Sequence, residues 1–259
     1  MSERRVVKEF VEPSRLNYGN SKNQKDFKPE VRRACSEQSP GQDLFGARSA
    51  KVIIIGQPGV GKTSMVLRYC RNMFERNYKT TIGVDFEVEK YNVLGVPFNV
   101  QLWDTAGAER FRGVTTAYFR GAQVVMLVFD LGSEESLVKT RDWLKDAQEF
   151  CQNQFEVFLV GTKYDSLLEH DYLKIEEVAK QFAAEYKAEY WYTSSKSGEH
   201  IEELFTRVTV LAFENIVTRE LESVQASEPK VQVAASSTLI RVRAKEPASP
   251  KRKRKCCPR

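Results

Sequence analysis

The sequence predicts an α/β fold: an open sheet of six strands, mostly parallel with one antiparallel edge strand, flanked by five helices. Three observations carry this reading. Val52 to Ile55 are four consecutive β-branched residues, the pattern of a strand buried on both faces. A glycine-rich turn follows at once and leads into a stretch of helical character. Downstream, apolar strand-like runs alternate with amphipathic helical stretches, which implies parallel strands joined by right-handed crossovers. In such sheets ligands bind beyond the carboxyl ends of the strands.

The turn is the most specific feature. Gly56, Gly59, Gly61, Lys62 and Thr63 match G-x-x-x-x-G-K-[ST], which marks a P-loop NTPase. Glycines let backbone N–H groups curl round a phosphate chain where a Cβ would collide. Lys62 supplies a point charge for the terminal phosphates, and the Thr63 hydroxyl can ligate Mg²⁺. Ser64 to Phe74 read as a helix whose N-terminal dipole faces the same anion. An ordinary glycine turn with a solvated lysine would need neither the strand before it nor the helix after it.

The other elements follow in order. Asp85 to Val93 alternates, with Phe86 and Val88 on one face. Leu94-Gly95 forms a turn, and Phe98, Val100 and Leu102 alternate into Trp103, completing a hairpin. Val124 to Phe129 is a continuous apolar run, a buried strand. Glu134 to Cys151 reads as a helix with Ser133 as N-cap. Phe155 to Val160 is the next strand, Leu173 to Lys187 a helix, and Glu189 to Thr193 a short last strand. Ile201, Leu204, Phe205, Val208, Leu211 and Ala212 form the stripe of a closing amphipathic helix. The domain is expected over residues 50–220. Residues 1–49 are polar, irregular and expected to be mostly disordered, apart from a possible short helix bearing Val6, Val7, Phe10 and Val11. Residues 221–259 dissolve into Ser, Pro and charge and read as a linker and tail.

Composition excludes several classes. No run approaches the length of a membrane-spanning helix. The first residues show no secretory h-region, and Ser2 stands where N-myristoylation needs Gly. Five scattered Cys give neither a disulfide frame nor a CxxC metal pattern, and they suit a reducing cytosol. With two His, His170 and His200, the sequence argues against His-based zinc sites and Ser-His-Asp catalysis. The net charge of +5 is a property of the tail: residues 241–259 hold nine Lys/Arg against one Glu, a balance of +8, leaving −3 for the rest.

Residues 50–217 resemble the Rab branch of the Ras-like small GTPases. TTIGVDF (Thr80–Phe86) is similar to the first switch and LWDTAGAERF (Leu102–Phe111) to the second. YFRGA (Tyr118–Ala122) and LVFD (Leu127–Asp130) resemble Rab stretches, and TKYD (Thr162–Asp165) and SSK (Ser194–Lys196) resemble the guanine-reading loops. KDFKPEVRRAC (Lys25–Cys35) and AEYW (Ala188–Trp191) resemble the Rab thirty-four/thirty-six subgroup, which also carries a long leading extension. The resemblance implies a switch that binds GTP and GDP and hydrolyses GTP. Nucleotide binding would fall to Gly59, Val60, Gly61, Lys62, Thr63 and Ser64 of the phosphate loop and to Thr81 and Gly107 of the switches. Thr162, Lys163, Asp165, Ser194, Ser195 and Lys196 would read the base. Mg²⁺ would be held by Thr63, Thr81 and Asp104, and hydrolysis would rest on Lys62, Thr81, Gly107 and the position of Ala108. Val84, Phe86, Trp103 and Tyr118 would present the effector surface. Asp165 can accept from the guanine N1–H and N2–H₂ edge, for which adenine has no equivalent donor pair, and Lys163 and Lys196 can lay their stems across the base.

Three residues depart from the family pattern. Ala108 stands where a Gln orients the attacking water, and a methyl group cannot do so, so intrinsic hydrolysis is expected to be slow. Thr162 replaces an Asn and keeps only a hydroxyl, at an expected cost of about 1 kcal/mol in nucleotide affinity. Pro58 removes one N–H from the phosphate loop.

The segment KRKRKCCPR carries adjacent Cys256 and Cys257, which resemble a double-prenylation site; with Pro258 and Arg259 it departs from an ordinary CaaX box. Lys251 to Lys255 would add attraction to an anionic leaflet, rather than contact nucleic acid, since no aromatic residues interleave them. Implied partners are an exchange factor, a GTPase activator, a prenylation escort, a dissociation inhibitor and effectors, on the cytoplasmic face of endomembranes such as the Golgi in exchange with cytosol. Two other classes stay open here. One is a scaffold held in the GTP form by Ala108; the other is a P-loop nucleoside kinase, which would need an Arg-rich acceptor lid and no WDTAG.

Overall fold

The structure, a computed structural model, describes residues 5–8, 26–37, 48–76, 81–107, 116–151 and 153–227. Its centre is β2 (Arg48–Ile55), whose last four residues are fully buried. Val52 and Ile54 point to one side of the sheet and Ile53 and Ile55 to the other, so each side has its own apolar cluster. This is why the strand carries no polar alternation. The chain then turns through Gly56–Gly61 into α2 (Lys62–Arg71), which covers the first side. The label α1 belongs to an earlier helix, Pro29–Ser36.

The hairpin is β3 (Val84–Val93) and β4 (Val96–Thr105), antiparallel through the Leu94-Gly95 turn. β4 pairs parallel with β2, and β2 pairs parallel with β5 (Val124–Asp130). Two helices follow, α3 (Glu134–Val138) and α4 (Thr140–Phe150). Ser133 caps the first, its hydroxyl accepting from Ser136 N. The single helix expected over Glu134–Cys151 is thus interrupted at Lys139, where the Thr140 hydroxyl donates to Leu137 O at 2.5 Å and competes for a helical carbonyl. β6 (Glu156–Thr162), α5 (Glu169–Tyr186), β7 (Glu189–Tyr192) and α6 (Ile201–Ser227) complete the order. α4 and α5 line the second side of the sheet; α2 and α6 line the first.

The sheet has seven strands rather than six, because the leading extension contributes one. β1 (Arg5–Val7) pairs parallel with β3, Val7 opposite Val93, at the open edge of the sheet. Val6 and Val7 therefore lie on a strand and not on the expected helix; Phe10 and Val11 fall outside the described residues. The reason is local. Two β-branched residues meet an unpaired edge, and Leu94 N donates to Val7 O at 3.0 Å to close the ladder.

The extension is ordered a second time at α1. Phe27, Val31 and Cys35, four residues apart, bury one stripe in the first apolar cluster. Phe27 meets Phe213 of α6 edge to face at 6.3 Å, and Lys28 N donates to Glu214 Oε1 at 2.7 Å. α6 continues to Ser227, beyond the stripe ending at Ala212 and past residue 220, after which a linker was expected. Val217 is fully buried, and Arg48 pairs with Glu220 at 2.7 Å, so tertiary contacts hold the added turns.

Candidate nucleotide-binding site

The carboxyl ends of β2, β4, β5 and β6 meet at one end of the sheet, where a cavity of about 560 Å³ opens. This is within the ordinary range of small-ligand sites. At its floor the phosphate loop turns into α2 through Gly61, whose φ of 102° is a left-handed conformation that few other residues adopt. Lys62 is nearly fully buried and donates to Gly56 O at 2.8 Å and Gln57 O at 2.9 Å. Burial lowers its pKa to about 8, with Asp104 acting in the opposite direction. The ammonium is therefore held against the loop at a desolvation cost, ready to be offset by an anion.

Beside it lies a chain of three oxygens. Thr63 donates to Asp104 Oδ2 at 2.5 Å and lies 2.9 Å from the Thr81 hydroxyl, which must then be the donor to Thr63. Burial pushes the Asp104 carboxyl up to about 6, only partly countered by Thr63 and Lys62. Its Oδ1 is buried without a hydrogen-bond partner among the described residues. Buried polar atoms are normally satisfied. An orphaned carboxylate oxygen beside two hydroxyls is chemistry that suits a hard divalent cation. No group of three His, Cys, Asp or Glu that could hold a metal is present among the described residues. Such an ion would have to share its shell between these oxygens, water and a ligand's phosphate.

Gly107 faces the same floor. A Cβ there would lie 2.5 Å from Gln57 C and Pro58 N and 2.6 Å from the Lys62 ammonium. Only glycine allows the segment after β4 to lie on the phosphate loop. The segment before β3 is tied to it, since Ala106 N donates to Gly83 O at 2.8 Å.

The far wall is built by the ends of β6 and β7. Thr162 is buried; its hydroxyl is within reach of Val60 O and of Phe129 O, the latter at 3.0 Å. The hydroxyl thus does reach the phosphate loop, although it has one proton for two acceptors. Asp165 Oδ1 accepts from Ser194 at 2.6 Å and Oδ2 pairs with Lys196 at 3.2 Å. Burial raises the carboxyl's pKa, but these donors outweigh it and hold the group below the usual carboxylate range. Lys163, in a left-handed conformation, pairs with Asp130 at 2.7 Å.

Of the described residues expected to bind nucleotide or metal, all line the cavity except Val60, Ser194 and Asp104. Ala108, Cys256 and Cys257 lie outside the described residues, as do Thr80, Lys25 and the stretch from Lys251 to Lys255. Sequence reasoning missed Leu67, Met73 and Phe74, which form an apolar wall. Leu67 lies within α2, while the placement of Met73 and Phe74 depends on the left-handed turn at Asn72 that ends the helix, for which Asn is the available sequence cue.

Away from the cavity, Phe86, Trp103 and Tyr118 form one aromatic row, with centroids 4.8 and 5.5 Å apart. Phe86 is 46% exposed and Ile82 81%, while Val84, Trp103 and Tyr118 are half-buried. The row packs and presents surface at once. It starts where the segments leading to Thr81 and Gly107 end.

Residues 51–213 match the model of the Ras family. Ras-related protein Rab-34 of Homo sapiens is 48% identical over 199 residues, which cover 76% of each chain. Ras-related protein Rab-36 of Homo sapiens is 41% identical over 236 residues, 89% of this chain and 86% of that one. GTP-binding protein yptV2 of Volvox carteri is 34% identical over 220 residues, 84% and 98%. Together with the cavity at the strand ends, these matches establish that the chain belongs to the Ras family, as a GTPase of the Rab subgroup that includes Rab-34 and Rab-36.

Proposed function

We propose that the chain is a GTP-dependent switch of membrane traffic whose nucleotide lies along this cavity, phosphates over Lys62 and base against Asp165. The observation that carries the reading is the pairing, in one cavity, of a buried lysine beside an orphaned carboxylate at one end with an ionised, doubly supported carboxylate at the other. The first suits a polyphosphate with its metal, the second a base edge with two donors. Mg²⁺ would be held by Thr63 and Thr81, with Asp104 beside it, and would supply charge neutralisation of the phosphates. Lys62 exchanges its two carbonyl contacts for phosphate oxygens. Gly107 N–H and Thr81 close on a third phosphate when one is present, which draws both switch segments, and with them Val84, Phe86, Trp103 and Tyr118, into the shape read by effectors. Phe74 offers a ring to the base. The test is fluorescent nucleotide binding by the purified chain: a Mg²⁺-dependent preference for guanosine over adenosine nucleotides is expected, and its absence overturns the reading.

A second reading is favoured by Ala108, which has no group to orient water: a hydrolysis-poor scaffold held in the GTP form. Ala108→Gln is expected to raise the single-turnover hydrolysis rate roughly tenfold from a base on the order of 10⁻⁴ s⁻¹; equal rates would show that the position is not limiting. Nucleotide extracted from cells separates the readings, nearly all GTP for the scaffold and a GDP majority for the cycle. Partners follow from the cycle: an exchange factor, an activator able to supply catalytic groups in trans, an escort, a dissociation inhibitor and effectors. Among the described residues no helix is long and apolar enough to cross a membrane. Attachment at the cytoplasmic face of endomembranes, Golgi vesicles included, would rest on prenylation of Cys256 and Cys257 and on the basic run before them. The division into extension, GTPase domain over residues 50–220 and tail is part of the same proposal, with β1 and α1 docked on the domain.

A further inference from the structure

The leading extension reaches the guanine-reading loop by a route that the switch mechanism does not use. Residues 194–200 carry Ser194, Ser195 and Lys196 and are held on one side by α2. Arg68 Nε donates to Ser195 O at 2.5 Å and its Nη2 to Lys196 O at 2.7 Å. On the other side the loop runs directly into the first turn of α6. The loop is therefore only as well placed as the seam between the last turn of α2 and the first turn of α6. Within that seam Tyr69 stacks on Phe205, centroids 4.1 Å apart and planes 13° from parallel.

Arg5 of β1 closes this seam from outside. Its guanidinium lies 4.3 Å from the Tyr69 ring centroid, where the stacked Phe205 leaves only the opposite face free. Its Nη2 donates to Tyr69 O at 3.1 Å, its Nη1 pairs with Glu202 in the first turn of α6, and its Nε with Glu89 of β3 at 3.3 Å. One planar fork thus joins α2, α6 and the edge strand, a geometry that a lysine ammonium cannot reproduce. Tyr69 is the neighbour of Arg68, and Glu202 follows the loop by two residues.

We infer that Arg5 is a positioning residue for nucleotide retention: by clamping α2 to α6 it holds the loop that faces the base, so that loss of the clamp speeds nucleotide release. This rests on the nucleotide assignment proposed above. The contacts are partly exposed, so the effect is moderate, roughly three- to tenfold in release rate. High salt is expected to weaken the effect of the clamp as well.

The experiment is release of fluorescent GDP from the full-length chain after chasing with unlabelled nucleotide, with melting temperature measured in parallel. Arg5→Ala and Glu202→Gln are expected to speed release roughly three- to tenfold, the double variant no more than the larger single effect, and Arg5→Lys to fall between. Val7→Ala, which weakens the packing of the same strand without touching the clamp, is expected to lower the melting temperature and leave release unchanged. Release at the wild-type rate from Arg5→Ala overturns the inference. So does Val7→Ala speeding release as much as Arg5→Ala, which would reduce Arg5 to general support of the strand. Failure of the wild-type chain to bind guanosine nucleotide at all would instead overturn the site assignment, and the two failures are therefore distinguishable.

Discussion

Asp165→Asn is expected to lower GDP affinity by roughly 10³-fold or more while leaving the ligand-free melting temperature nearly unchanged. The guanine edge offers two adjacent donors, N1–H and N2–H₂. Asp165 meets them with an ionised carboxylate that Ser194 at 2.6 Å and Lys196 at 3.2 Å hold in place and keep charged. The amide has the same size, so packing survives. It has only one acceptor, however, and turns an NH₂ toward a donor of the base, so one bond becomes a clash of like dipoles and the other loses its charge assistance. A base carrying a carbonyl in place of the 2-amino group would accept from that NH₂, so xanthosine diphosphate should bind the variant better than GDP does. Competition titrations with the three diphosphates check this. An unchanged GDP affinity would mean that the base does not lie against Asp165.

Much of this site is legible in the sequence because its parts are local. A β-branched run, a glycine turn and a lysine are contiguous from Val52 to Thr63, and the structure turns them into a strand, a loop and a helix start with little outside help. The run at Val124–Asp130 is equally self-declaring, since burial on both faces leaves no room for a polar residue. What sequence reasoning lost depends on distant partners. Three residues of β1 have no meaning as a strand until β3 presents an open edge, with each paired residue 86 positions away. The spacing of Phe27, Val31 and Cys35 was readable as a helical stripe, but only Phe213 and Glu214 of α6 make it worth ordering. In the same way the last turns of α6 look like linker by composition and are held by Arg48 and Val217. The apolar wall of Phe74 could not be placed because its position is set by one left-handed residue, Asn72. Thr162 is the reverse case. It reads as a weakened version of an amide, yet its hydroxyl lies within reach of Val60 O on the phosphate loop and Phe129 O on β5 and can donate to either.

Asp104→Asn is expected to act in opposite directions on stability and on metal response. In the ligand-free fold the Asp104 carboxyl is raised to about 6 from 3.8 because burial penalises its charge, more than Thr63 and Lys62 repay. The folded state therefore holds its proton more tightly than the unfolded chain. Stability is greatest below the unfolded value and falls as pH rises from about 4 through about 6, after which the loss is constant and on the order of 3 kcal/mol. The amide carries no charge and still accepts from Thr63 through its oxygen, though its NH₂ is left unpaired where Oδ1 stood. Against that residual cost, the variant should be more stable than wild type at pH 8 by roughly 1–3 kcal/mol without nucleotide or metal, and the advantage should vanish near pH 4. Urea unfolding in the presence of a chelator across this range measures it, and a stability difference that does not change with pH would remove Asp104 as its source. The same substitution is expected to weaken the Mg²⁺ response of nucleotide binding by about 10- to 100-fold, because the carboxylate's charge is what orders the metal's surroundings. A group that destabilises the empty fold and is required by the filled one has a physical reason to be there: the cost of burying its charge is repaid when nucleotide and metal arrive together, so that binding is also completion of the fold.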